Sequence, residues 1–180
     1  MLRHFFLAAA IAVPPGAYAQ DAAAPVTVIG EFSNMQFTAE HAYGYTVQLW
    51  RQDAAVFGLF LASAGLAGDT PTGSLDNVKF DARSGRLSFQ AKLTLGAQLD
   101  ASGKQQPSRD FFAFEGTLKP GELTGSVKHT DAVHPNVKTA VEQVTLRRQS
   151  GDLMSMLTRG SYTAWRANVA EILKRRGPKW

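Results

Sequence analysis

The chain has 180 residues, a formal net charge of +4 and no cysteine. Without cysteine it can form no disulfide, no iron–sulfur cluster, no Cys-based zinc site and no thiol nucleophile. The charge is uneven, because residues 147–180 contain eight Lys or Arg against two acidic residues, whereas residues 20–146 contain ten against thirteen. A basic end on an acidic body indicates an anionic partner such as a membrane surface, and no nucleic-acid partner is expected.

Residues 1–19 have the pattern of a cleaved secretory signal peptide. Arg3 supplies the positive charge, residues 5–13 the apolar run, and Ala17-Tyr18-Ala19 the small-residue cleavage site. The run is too short to cross a bilayer as a helix, which needs about 20 residues. We therefore expect an exported protein, periplasmic or secreted, with a β-barrel domain at 20–150 and a C-terminal helical segment at 151–180 docked on the barrel.

The mature chain is dominated by alternation of apolar and polar residues, which is typical of strands with one apolar face. Alternation is strongest at 43–50 and 87–95 and weaker at 26–38, 110–118, 122–130 and 140–148. Parity breaks between Leu75 and Val78, which predicts a bulge. The links 63–72 and 96–109 lack helical periodicity and are predicted to be loops. About eight antiparallel strands in an up-and-down meander result.

A sheet of eight strands with one apolar face removes its edges most economically by closing into a small barrel. A two-sheet β-sandwich is the alternative. Residues 54–61 are apolar on both faces, so another element must cover the outer face of this strand. The fold is therefore predicted to be mainly β, a barrel with helices packed outside.

The covering element is predicted to be an amphipathic C-terminal helix. Its apolar residues recur at helical spacing and form one stripe, made of Tyr162, Trp165, Val169, Ile172 and Leu173. Ser161 can cap its start, and Gly177 with Pro178 ends it. A shorter helix, capped by Asp152 and ended by Gly160, is predicted before it.

Aromatic side chains suggest a cavity for a hydrophobic small ligand inside the barrel. The alternative is that these rings fill the core by packing on each other. The candidate ligand-binding residues are Tyr43, Tyr45, Phe89, Phe112, Phe114 and His129.

Two histidines and a carboxylate, His129, Asp131 and His134, are candidate ligands for zinc or another transition metal. Their spacing matches no strong zinc motif, and a structural cluster is the alternative. The sequence contains no Gly-x-Ser-x-Gly, His-Glu-x-x-His, P-loop or dinucleotide motif. We therefore predict no catalytic residue and no cofactor.

Basic residues of the C-terminal helix offer a different function. Arg166, Lys174, Arg175 and Arg176 are candidates for contact with an anionic surface. In that hypothesis the protein is a structural or adaptor protein of the cell envelope. A solvated helix face is the alternative reading of the same residues.

An exported meander of eight strands with a C-terminal helix resembles the lipocalin or calycin architecture. The lipocalin signature near the first strand is Gly-x-Trp, and Gly30-Glu31-Phe32 is the best matching segment, with Phe in place of Trp. The resemblance implies a hydrophobic ligand inside the barrel, although likeness of fold does not establish function. A small outer-membrane barrel is a further alternative. The leading hypothesis is a non-catalytic barrel that binds a hydrophobic small ligand or an envelope protein.

Overall fold

The computed structural model describes residues 24–66, 68, 70–134, 139–151 and 153–180. The predicted signal peptide and the predicted cap Asp152 lie outside the described residues. The elements in chain order are β1 Thr27–Ser33, β2 Gln36–Phe37, β3 His41–Gln52, β4 Ala55–Leu66, β5 Thr72–Ser74, β6 Asp76–Phe80, β7 Arg86–Leu93, β8 Ala97–Leu99, β9 Gln105–Pro107, β10 Asp110–Lys119, β11 Glu122–Asp131, β12 Ala140–Arg148, α1 Leu153–Leu157 and α2 Tyr162–Arg176.

The main sheet is an antiparallel meander that is nearly closed into a barrel. Its strand order is β5-β4-β3-β1-β12-β11-β10-β7-β6, and β2 also pairs with β3. The two ends of this order, β5 and β6, are separated only by Leu75, whose N–H donates to the carbonyl of Gly58 at 2.9 Å. They therefore act as one bent strand that pairs with β4 and then with β7. The predicted barrel of about eight strands is confirmed.

Strand β6 contains the bulge that the sequence predicted. The pairing of β6 with β7 shifts register between Asp76 and Lys79, and Asn77 has a positive φ of 51°. An Asn tolerates this left-handed conformation better than a β-branched residue does. The bulge lies inside the pairing with β7, and the passage from β4 to β7 takes place just before it, at Leu75.

The inside of the barrel is a continuous apolar core. Inward-facing side chains of the barrel strands form one buried cluster, which contains Phe32, Val47, Leu49, Phe60, Ala62, Leu75, Leu87, Phe89, Ala91, Leu93, Phe112, Phe114, Leu123, Val127, Val144 and Leu146. Residues at every second position of each strand contribute to it, as a pleated strand requires.

A second apolar core lies outside the barrel, under the helices. The outward-facing side chains of Phe57 and Leu59 on β4 pack with Trp50, Trp165 and Val169. The ring centroid of Trp165 lies 4.7 Å from that of Phe57 and 5.2 Å from that of Trp50. The prediction that the C-terminal helix covers the outer face of the two-sided strand is confirmed.

Both ends of α2 are fixed to the barrel. At its start the N–H of Tyr162 donates to the side-chain oxygen of Gln52 on β3 at 3.0 Å. Ser161 caps the start of the helix by accepting the N–H of Ala164 at 3.2 Å, and Gly177 caps its end, as predicted. Beyond the helix, the indole N–H of Trp180 donates to the carbonyl of Leu93 at 2.7 Å. The N–H of Lys179 donates to the hydroxyl of Thr94 at 2.9 Å. The helix is therefore held at two separate places.

Three boundary predictions were wrong. The loop predicted at 63–72 begins only after Leu66, because β4 continues to pair with β3 as far as Leu66 with His41. The short helix α1 ends at Leu157, and not at Gly160, because the Thr158 hydroxyl bonds to the carbonyl of Met154 and accepts the indole N–H of Trp50. The link 96–109 is not only loop, since β8 and β9 pair across a turn at Asp100. The carboxylate of Asp100 accepts three hydrogen bonds within that turn, which stabilises the hairpin.

The docking of α2 predicts a large effect of its buried tryptophan. We expect Trp165→Ala to lower the free energy of unfolding by about 3–5 kcal/mol, because the side chain is 2% exposed between two aromatic rings. Urea denaturation followed by circular dichroism measures this change. Lys174→Ala, on the exposed side of the same helix, is the control and should change it by less than about 0.5 kcal/mol. Equal effects of the two variants would contradict docking.

Candidate functional site

Three of the predicted ligand-binding aromatics lie deep in the barrel core. Phe89, Phe112 and Phe114 are each at most 2% exposed. The ring of Phe60 lies between two of them, with centroids 5.8 Å from Phe89 and 5.2 Å from Phe112. Phe89 stacks on Phe114 at 5.0 Å. These rings fill the barrel by packing on each other, and their contact with a ligand stays a prediction.

The two predicted tyrosines lie towards one mouth of the barrel. Tyr43 is 49% exposed and stacks on His41. Tyr45 packs on Phe60, and its hydroxyl donates to the carboxylate of Glu142 at 3.0 Å. Burial raises the pKa of Tyr45 to about 12, and the hydrogen bond to Glu142 and the charge of that carboxylate add to the effect. Tyr45 therefore stays protonated and acts as a hydrogen-bond donor across the mouth.

His129 belongs to a network centred on a buried carboxylate at the same mouth. Its ring stacks on Phe112 at 4.5 Å, and its Nε2 lies 2.8 Å from Oδ1 of Asp110. The other oxygen of Asp110 accepts the Ser108 hydroxyl and the N–H of Leu95. In a catalytic triad the histidine contacts the serine hydroxyl directly and acts as its base. Here the Asp110 carboxylate lies between the two, so His129 does not contact the Ser108 hydroxyl. The network ties strands β10 and β11 to the segment before β8.

The electrostatics of Asp110 favour its charged form. Burial acts to raise the pKa of Asp110, but hydrogen bonds from His129, Ser108 and the N–H of Leu95 outweigh burial, with a contribution from the charge of His129. The net result is a pKa below the ordinary value of 3.8. Asp110 and Ser108 were not among the site residues predicted from the sequence. Asp110 could have been recognised from the alternation of β10, since it occupies the same inward face as Phe112 and Phe114.

Asp131 and His134 form a separate pair in the turn after β11. Nδ1 of His134 lies 2.9 Å from Oδ2 of Asp131, and Oδ1 accepts the N–H of Val133. Burial acts to raise the pKa of Asp131, but the hydrogen bond to His134 and the backbone N–H donors outweigh it and lower the pKa. The part of the chain that the structure describes contains no group of three or more His, Asp or Glu placed to hold a metal ion. The predicted metal site with His129 stays a prediction.

An apolar opening lies outside the barrel, between α2 and the outer faces of β3 and β4. This groove has a volume of about 500 Å³. We call it the helix groove, and it is lined by Gln48, Leu59, Leu61, Thr72, Leu157, Glu171, Ile172, Arg175 and Arg176. An opening of about 420 Å³ beside β6 and β7 has several charged residues in its wall and offers less apolar surface.

The polar groups in the floor of the helix groove already have partners. Gln48 donates to the carboxylate of Glu31 at 2.7 Å, and the hydroxyl of Thr72 donates to the carbonyl of Thr70 at 3.0 Å. A ligand in the groove therefore meets the partly exposed side chain of Leu61, above the buried Leu59, without competing for an unpaired buried donor or acceptor. The charged residues belong to the last turns of α2.

The four predicted basic residues do not share one face of α2. Arg166 lies over the ring of Tyr162 at 5.8 Å, and Lys174 pairs with Glu171. Arg175 and Arg176 line the helix groove. Since successive residues of an α-helix are about 100° apart, residues 174, 175 and 176 point in three directions. The structure brings only Arg175 and Arg176 together at one site.

No protein-family model, no curated protein and no solved structure matches this chain. Among the described residues, no helix combines the length and the apolar character needed to cross a membrane.

The Asp110 network predicts acid sensitivity. Because the pKa of Asp110 is lowered in the folded state, its charge stabilises the fold above the ordinary value of 3.8, and this stabilisation is lost as pH falls through the folded pKa. We expect the stability difference between wild type and Asp110→Asn to be constant from about pH 7 to 5 and to shrink below about pH 4. Urea midpoints measured across this range test it.

The control for this experiment is Glu115→Gln, which removes an exposed carboxylate from the same strand outside the network. It should change stability little at any pH. A difference for Asp110→Asn that stays the same down to pH 2.5 would contradict the assignment.

Proposed function

We propose that this chain is an exported binding protein that holds a hydrophobic small ligand in the helix groove, on the outside of its barrel. The observation that carries the proposal is an apolar opening of about 500 Å³ between α2 and the floor formed by Leu59 and Leu61. Ligand sites in proteins are concave, mostly apolar and about 300–1,000 Å³ in volume. Export is supported by the signal-peptide pattern of residues 1–19.

The groove is supported as a preformed site by the way α2 is fixed. Trp165 packs against Trp50 and Phe57 near the start of the helix. Trp180 bonds to Leu93 beyond its end. A helix held at both ends keeps the groove walls in place, and a preformed site spends less binding free energy on ordering itself.

The barrel interior is a weaker candidate for the ligand. Its inward-facing side chains are packed aromatic and aliphatic groups, with Phe60 in contact with Phe89 and Phe112. A ligand there would have to displace this core, and the interiors of proteins are packed as densely as organic crystals. The helix groove requires no such displacement.

A structural or adaptor role through the basic helix is supported less well. An anionic surface is bound best by cations on one face, whereas Arg166, Lys174 and Arg175 point in different directions around α2. Lys174 is also paired with Glu171. The charged residues that do converge line the groove.

The neutral fluorescent probe N-phenyl-1-naphthylamine tests the proposed site. We expect it to bind the mature protein, and Leu61→Gln to weaken that binding by about tenfold, because an amide replaces apolar contact in the floor of the groove. Fluorescence titration gives the dissociation constants. Val141→Gln is the matched control, since Val141 is an apolar strand residue exposed elsewhere on the barrel, and it should leave the constant unchanged.

A second variant separates the groove from the barrel interior. Val127→Ala opens space in the inner core, where Val127 is 1% exposed. If probe affinity changes with Val127→Ala and not with Leu61→Gln, the ligand lies inside the barrel and the proposed groove is wrong.

A further inference from the structure

We propose that the ligand of the helix groove is an amphiphile with an anionic head, such as a carboxylate, and that Arg175 binds this head. The inference rests on the proposed function and adds the chemical class of the ligand. The apolar lining does not determine the head group of the ligand, so the inference depends on the charged side chains that line the groove.

The charged side chains that line the groove are Glu171, Arg175 and Arg176. Glu171 forms an ion pair with Lys174, so its negative charge is already compensated. The guanidinium group of Arg175 therefore places a positive charge at the wall of the groove. A guanidinium matches the geometry of a carboxylate or phosphate, because it can donate two parallel hydrogen bonds.

The same groove is lined by apolar and by cationic side chains. Leu61, Leu157 and Ile172 supply apolar surface, and Arg175 in the last turn of α2 supplies a guanidinium group. A ligand that contacts both kinds of side chain has an apolar part and a negative group, which is the chemistry of a fatty acid or an anionic lipid.

A purely structural role for Arg175 gives a different result. Cations in the last turn of a helix offset the negative end of its dipole and stabilise the helix. In that case replacement of Arg175 lowers stability and leaves the affinity for a ligand unchanged. Affinity and stability must therefore be measured on the same variants.

The test compares decanoate, decanol and decyltrimethylammonium, which share a ten-carbon tail and differ in the charge of the head. Each is used below its micelle concentration and displaces N-phenyl-1-naphthylamine from the mature protein. We expect decanoate to bind about tenfold more tightly than decanol, and the cation most weakly. Arg175→Gln should remove the preference for decanoate, whereas Arg166→Gln, on the same helix outside the groove, should keep it.

Each outcome decides one of the two proposals. If decanol binds wild type as tightly as decanoate, or if Arg175→Gln and Arg166→Gln reduce decanoate binding equally, the head-group inference is wrong and the groove remains the binding site. If neither the naphthylamine probe nor any ten-carbon compound binds, the proposed function itself is wrong. A parallel urea unfolding curve for Arg175→Gln shows that the variant is folded.

Phosphate and carboxylate heads are distinguished by one further comparison. Decyl phosphate, which has the same ten-carbon tail, displaces the naphthylamine probe in a parallel titration. Tighter binding of decyl phosphate than of decanoate, lost in Arg175→Gln, supports a phosphate head at Arg175, and the reverse order supports a carboxylate head. Binding of both anions that is unchanged in Arg175→Gln would overturn the assignment of Arg175 as the head-group residue.

Discussion

Strand β4 buries apolar side chains on both of its faces, and this constraint determines how the rest of the molecule is arranged. Its inward face, with Phe60, belongs to the barrel core, while its outward face, with Phe57 and Leu59, would otherwise be in water. Each large side chain contributes about 1.5–3 kcal/mol when it is buried. The C-terminal helix therefore packs across β4, and Trp165 fills the space above Phe57. Because the cover is a narrow helix on a broad curved sheet, part of the apolar floor near Leu61 remains open as the helix groove.

The barrel closes because one bent strand pairs with both ends of the sheet. Residues 72–74 pair with β4 and residues 76–80 pair with β7, and the bulge at Asn77 lies inside the second pairing. At the opposite seam, β1 and β12 share only the pairs Phe32 with Arg148 and Ser33 with Arg147. Polar contacts hold the mouth nearby, where Tyr45 reaches Glu142 and Asp110 joins His129. Hydrogen-bonded polar side chains thus stabilise the mouth of the barrel, and apolar side chains fill its interior.

Much of the fold could be predicted because the relevant signals are local. Alternation of apolar and polar residues predicted the strands. Segment 54–61 is apolar on both faces, so another element had to pack on its outer face, and the apolar stripe through Trp165 and Val169 identified that element as the C-terminal helix. The site could not be predicted, because a groove depends on how far a helix stands from a sheet, and sequence periodicity contains no distance. The aromatic residues were recognised as a group, but whether Phe89 and Phe112 enclose a void or pack together is a property of volume. Asp110 was visible only as an acid on an apolar face, and its meaning depended on strand register with β11.

We propose that the ligand binds outside the filled barrel, under α2. Nuclear Overhauser effects between ¹³C-labelled decanoate and the methyl groups of the methyl-labelled protein locate the ligand. We expect contacts from the tail of decanoate to the methyl groups of Leu61, Leu157 and Ile172, which line the groove. Contacts to the methyl groups of Leu123 and Val127, which lie in the inner core, would contradict it.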